Sequence, residues 1–94
     1  MTESGIEAHF CHTLRKHGFL TWKFTSPQNP GVPDRLIVTP QGVVWFVEFK
    51  AVGGRVSELQ RHTIFQLVRR GVNVKIIEGW NEAKAFAEEL TNGV

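Results

Sequence analysis

The stretch GVPDRLIVTPQGVVWFVEFK, residues 31–50, decides the fold. Two runs rich in β-branched residues, 34–39 and 43–50, flank Pro40-Gln41-Gly42, a connection short enough for an antiparallel hairpin. A three-residue connection pairs Thr39 with Val43, which carries Asp34 to a place opposite Glu48. Residues directly opposite in such a ladder share a face, and Lys50, two beyond Glu48, shares it too. Trp45, Val47 and Phe49 then project from the other side. A two- or four-residue connection would instead set Glu48 opposite Arg35, an ordinary cross-strand ion pair.

Around the hairpin the remaining elements follow from periodicity and punctuation. Ser4-x-x-Glu7 has the form of a helix capping box, Ile6, Phe10, Cys11 and Leu14 recur at helical spacing, and Gly18 is placed to end the helix. From Phe19 to Phe24 the chain alternates Leu20, Trp22 and Phe24 against Thr21 and Lys23, the pattern of a half-buried strand. Past Gly53-Gly54, Ser57-x-x-Gln60 opens a second helix that runs toward Gly71, and residues 72–77 form a fourth strand. Asn81 is placed to cap a last helix, whose Ala83, Phe86, Ala87 and Leu90 fall on one stripe. The order expected is αβββαβα, a single α/β domain spanning residues 1–94.

Composition narrows the class. Hydrophobic residues make up 41% and charged residues 21%, the balance of a chain that builds a core and not of a disordered one. No apolar run approaches the roughly 18 residues of a membrane span, and no basic start leads into an apolar stretch, so a cytoplasmic protein with no membrane partner is expected. Cys11 is the single cysteine, which excludes an intrachain disulfide and a multi-cysteine zinc site. The net charge of +2 is unevenly spread: ten basic residues face five acidic ones through Lys75, and one faces four from Ile76 onward. The basic part is compatible with phosphate contact or with an ordinary solvated surface.

Asp34, Glu48 and Lys50 carry the chemistry. At about 5 Å and an effective dielectric of about 20, two ionised carboxylates repel by roughly 3 kcal/mol, which a bound divalent cation or a shifted pKa relieves. Glu7 falls within the inward arc of its helix, either as the capping-box partner of Ser4 or as an acid aimed at the site. Gln60 stands in the same position relative to Ser57 in the second helix. His9 and His12 lack further ligands at zinc spacing and read as surface histidines. Arg35, and Gly53-Gly54-Arg55 just past Lys50, offer guanidinium and backbone groups for phosphate, the glycines serving equally well as a tight turn. Arg69 and Arg70 complement the end of their helix. Trp22, Trp45 and Trp80 read as core or interface residues.

Gly31-Val32-Pro33-Asp34-Arg35, Glu48-Phe49-Lys50, Gln60 and the upstream Glu7 together resemble the VRR-NUC family of the PD-(D/E)xK nuclease superfamily, over most of the chain. The resemblance implies a restriction-endonuclease-like core, a mixed central sheet flanked by helices. It implies that Asp34, Glu48 and the backbone carbonyl of Phe49 hold a metal, with Glu7 completing the shell directly or through water. Lys50 would position or polarise the attacking water, and Gln60 would support the site. Small stand-alone members, often phage-encoded, are associated with homodimers that cut branched or structured DNA such as Holliday junctions or flaps. Mg²⁺ suits these oxygen donors, and Mn²⁺ accepts the same ligands. The reading is therefore a Mg²⁺-dependent endonuclease, a homodimer, in a bacterial or phage-infected cell. The alternatives are a noncatalytic nucleic-acid-binding module on the same scaffold, and a small interaction protein whose acids are only surface pairs.

Overall fold

The hairpin closes as its connection length demands. In the computed structural model, which describes residues 1–92, strands β2 (Arg35–Val38) and β3 (Val44–Lys50) pair antiparallel, with Arg35 opposite Val47 and Val38 opposite Val44. The Gly42 amide donates to the Thr39 carbonyl at 2.9 Å, and the Thr39 amide donates to the Val43 carbonyl, also at 2.9 Å. Gly42 holds φ at +88°, a left-handed conformation that closes the three-residue loop and that side chains beyond glycine adopt with strain. The last two residues of the expected 1–94 domain lie outside the described ones.

The element order is the expected one: α1 (Glu3–Lys16), β1 (Leu20–Lys23), β2, β3, α2 (Glu58–Val68), β4 (Asn73–Glu78) and α3 (Gly79–Thr91). The sheet order is β1-β2-β3-β4; the first three strands run antiparallel in succession and β4 joins β3 in parallel. That last pairing requires the α2 crossover. One sheet face carries Ile37, Val47, Phe49 and Ile77, all fully buried beneath α1 and α3. Phe10 of α1 meets Phe49 edge-on at 5.5 Å, and Phe86 of α3 meets Trp45 at 5.1 Å. Ile6, Phe10, Cys11 and Leu14 line the inner side of α1, while Ala83, Phe86 and Ala87 line that of α3, as their spacing requires. The opposite face is thinly covered, for α2 contributes no fully buried residue.

Three local expectations are corrected. α1 begins earlier than Ser4: Thr2 is the cap, accepting from the Gly5 amide at 3.0 Å, so the Ser4–Glu7 box is not used. α3 opens at Gly79, before Asn81, and the Glu82 carboxylate reaches back to the Glu78 amide at 2.9 Å. The polarity of β1 is inverted as well. Leu20 and Trp22 are 47% and 59% exposed, while Thr21 is buried. The covering helix lies on the Thr21 side, where Arg15 donates to the Thr21 hydroxyl at 2.9 Å; α2 takes its place at the other end of the sheet, against β4 and, through Gln60, Glu48 of β3.

Candidate active site

Continuing the hairpin register by one residue sets Asp34 opposite Glu48, and a hydrogen bond fixes the approach: the Phe49 amide donates to Asp34 Oδ2 at 3.1 Å. Glu48 is 2% exposed, on the sheet face that α2 crosses. Gln60 Nε2 donates to Glu48 Oε2 at 2.9 Å, and Lys50 Nζ lies 3.5 Å from the same oxygen. The second carboxylate oxygen, Oε1, is buried without a hydrogen-bond partner. Burial pushes the Glu48 carboxyl above its usual range, and the neighbouring charge of Asp34 adds to that, against the pull of Lys50. A buried, unpartnered carboxylate oxygen facing a second acid is an oxygen-donor site that a hard divalent cation fits.

Gln60 performs two tasks that sequence reading set side by side. Its Oε1 accepts from the Ser57 amide at 3.0 Å, closing the capping box, while its Nε2 holds Glu48. The start of α2 is thus tied to the centre of the sheet through one side chain.

Glu7 is drawn elsewhere. Its Oε2 accepts from Arg35 Nε at 2.6 Å and from Lys23 Nζ at 2.9 Å, on the sheet face that α1 covers. Burial raises the Glu7 carboxyl, but the hydrogen bonds and charges of Lys23 and Arg35 outweigh it and hold the group below its usual range. Among the described residues, no three His, Cys, Asp or Glu side chains gather as a metal-binding group. The acids placed together are Asp34 and Glu48. Glu7 stands with cations because strand alternation turns Arg35 away from the face of Asp34.

The expected phosphate contacts are also redistributed. Arg35 spends its guanidinium on Glu7 and on the Thr21 carbonyl, 3.1 Å away. The Gly53 amide donates to Glu78 Oε1 at 3.0 Å and the Gly54 amide to the Ala51 carbonyl at 2.8 Å, so these glycines form a turn whose donors are occupied. Arg55 is exposed. The participant that sequence reading missed is Lys23. The β1–β2 register, which the long loop between the strands leaves unread in the sequence, sets Lys23 directly opposite Arg35, a like-charge pair that calls for an acid between them.

A mixed four-stranded sheet in this order, flanked by three helices and carrying Asp34, Glu48 and Lys50 on one face, defines an α/β domain of the restriction-endonuclease-like class. The model of the family described as "VRR-NUC domain" matches residues 4–81. A solved "VRR_NUC domain" structure superposes with a TM-score of 0.82 over 92% of this chain and 94% of its own, at 24% identity, a likeness of fold. A protein of Acyrthosiphon pisum secondary endosymbiont phage 1, named "Putative nuclease p44", is 38% identical over 76 residues, 81% of this chain and 82% of that protein. The chain belongs to the VRR-NUC domain family, and its domain is a nuclease domain.

Proposed function

We propose that the protein is a divalent-metal-dependent endonuclease that hydrolyses phosphodiester bonds in branched or structured DNA, including Holliday junctions and flaps, and acts as a homodimer. The observation that carries the reading is Glu48: a buried carboxylate with one unpartnered oxygen, opposite Asp34, gripped by Gln60 and Lys50. Asp34, Glu48 and the Phe49 carbonyl would hold the ion, Mg²⁺ or Mn²⁺ in its place. When bound, it would lower the pKa of a coordinated water and neutralise charge on the scissile phosphate.

The chain's own residues do the rest. Gln60 fixes the Glu48 carboxylate through a hydrogen bond that also caps α2, so the carboxylate is held before substrate arrives. Lys50, close to Glu48 and largely buried, supplies a cation that strengthens as negative charge grows on phosphorus during in-line attack. The Phe49 amide orients Asp34. Glu7 acts from a layer further out, holding Arg35 and through it the strand start that carries Asp34. Arg55 remains the exposed cation on the loop past Lys50, available to phosphate.

The homodimer reading is supported by the uncovered apolar side of β1. Among the described residues, no helix is long and apolar enough to cross a membrane; the setting proposed is the cytoplasm of a bacterial or phage-infected cell. The deciding experiment is cleavage of labelled four-way junction, flap, single-stranded and linear duplex DNA with Mg²⁺, Mn²⁺ or EDTA. Cutting that requires metal and disappears in Lys50→Ala is expected. Tight DNA binding with no cutting in any metal would replace the enzyme with a noncatalytic binding module.

A further inference from the structure

Between α2 and the loop that leads into Asp34 lies a cleft that the chemistry described above does not use. It is walled on one side by the loop around Ser26–Val32 and on the other by α2, where Leu59, His62, Thr63, Gln66 and Leu67 form one helical stripe, and it encloses about 550 Å³. The two walls meet at Gly31, whose backbone lies so close to α2 that a Cβ there would stand 3.0 Å from Leu59 Cγ and 3.1 Å from Thr63 Oγ1. Three residues after that contact comes Asp34, and one residue after Leu59 comes Gln60, the partner of Glu48. Each wall of the cleft is therefore joined through a few residues of chain to a residue of the catalytic centre.

Its chemistry suits a nucleotide. Pro30, Val32, Leu59 and Leu67 supply an apolar floor, and exposed His62 presents a ring at the edge. Amide side chains of Asn29 and Gln66 line the cleft; Gln66 Oε1 is taken by Arg70 at 2.8 Å, which leaves its NH₂ as a donor. Around His62, α2 and its end expose Arg61, Arg69 and Arg70 against the single acid Glu58, and of the three Arg70 lines the cleft. α2 contributes no fully buried side chain, so its residues are free to serve a surface.

Building on the nuclease reading, we infer that this cleft receives one unpaired nucleotide of the DNA strand next to the scissile phosphate, its base against the apolar floor and His62, its phosphates toward the arginines of α2. Stacking against the floor and the His62 ring needs a base face freed from its neighbours in the duplex, so the site favours single-stranded or splayed DNA over intact duplex.

The test is binding in EDTA, read by fluorescence anisotropy with a labelled oligothymidylate and, separately, a blunt duplex. His62→Ala is expected to weaken oligothymidylate binding about fivefold to tenfold, the scale of one lost stacking contact, with duplex binding moved less than about twofold. His62→Phe, which keeps a ring and removes the imidazole, should restore oligothymidylate binding to near the wild-type value. An equal loss on duplex, no rescue by Phe, or no change in either ligand would overturn the assignment. Cleavage is scored independently: metal-dependent cutting with binding indifferent to His62 sinks the cleft alone, and ring-dependent binding without cutting sinks the nuclease alone. A wild-type protein that binds neither DNA and cuts none in any metal sinks both.

Discussion

At the scale of residues, Asp34 holds two roles that substitution separates. It accepts the Phe49 amide and places a negative charge opposite Glu48. Asp34→Asn keeps an acceptor for that amide and removes the charge, so metal-free stability should be unchanged or higher. The gain in Tm with Mg²⁺ should vanish, whereas wild type with Mg²⁺ at one hundred times its Kd should gain about 2.7 kcal/mol. Asp34→Ala also leaves the Phe49 amide without this acceptor and should cost about 1–2 kcal/mol without metal. Thermal melts with and without Mg²⁺ check both; clear metal-free destabilisation by Asn would make Asp34 chiefly structural. Glu7 makes a different prediction. Its folded carboxyl titrates below its ordinary value of 4.5, so its ion pairs stabilise fully above that pH and fade as pH falls through the lower folded value. Glu7→Gln should cost about 1–3 kcal/mol near neutral pH, with the gap from wild type narrowing as the pH falls below 4.5 in urea titrations.

At the scale of elements, Gly31 shows how the site is mounted. With φ at +89° and α2 within 3.1 Å of a would-be Cβ, Gly31→Ala strains the backbone and pushes the loop off the helix. The expected cost is about 1–2 kcal/mol in a urea melt, with a fall in cleavage greater than the stability loss explains, because Asp34 sits at the end of that loop. An unchanged melt would mean that the loop yields freely. The hairpin register was legible in the sequence once the connection is read as three residues, since side-chain period two then places Asp34, Glu48 and Lys50 on one face; a two- or four-residue connection sets Glu48 opposite Arg35 instead. Gln60 was legible as an inward residue, and its two side-chain hydrogen bonds, one from the Ser57 amide and one to Glu48, were not, since one side chain serving cap and site leaves the same pattern as a cap alone. Glu7 was legible as inward-facing, but its direction depended on which sheet face α1 covers, a tertiary fact. The exposed side of β1 misled for the same reason: alternation tells the two faces of a strand apart, and only packing decides which is covered.

At the scale of the whole molecule, the uncovered face of β1 is what a homodimer would explain. Leu20 and Trp22 lie exposed on it, and register places them beside half-buried Val38 and Leu36 and exposed Val44, an apolar strip on the same sheet face as Glu48. β1 is also a sheet edge, and an exposed apolar edge strand is a liability that natural chains usually blunt. Burying Trp22 against a second copy would remove a large aromatic surface from water, worth about 2 kcal/mol at each copy. Trp22→Lys should therefore convert a dimer to a monomer in sedimentation equilibrium while leaving the fold intact, because Trp22 is more than half exposed and the core lies across the sheet. Its effect on cutting follows from the geometry of two linked sites. Single-strand cuts in a flap should persist, and paired cuts across a four-way junction should be lost, since each monomer then meets the junction alone. A Trp22→Lys protein that stays dimeric places the interface on another surface, and a wild type that sediments as a monomer removes the paired-cut mechanism altogether.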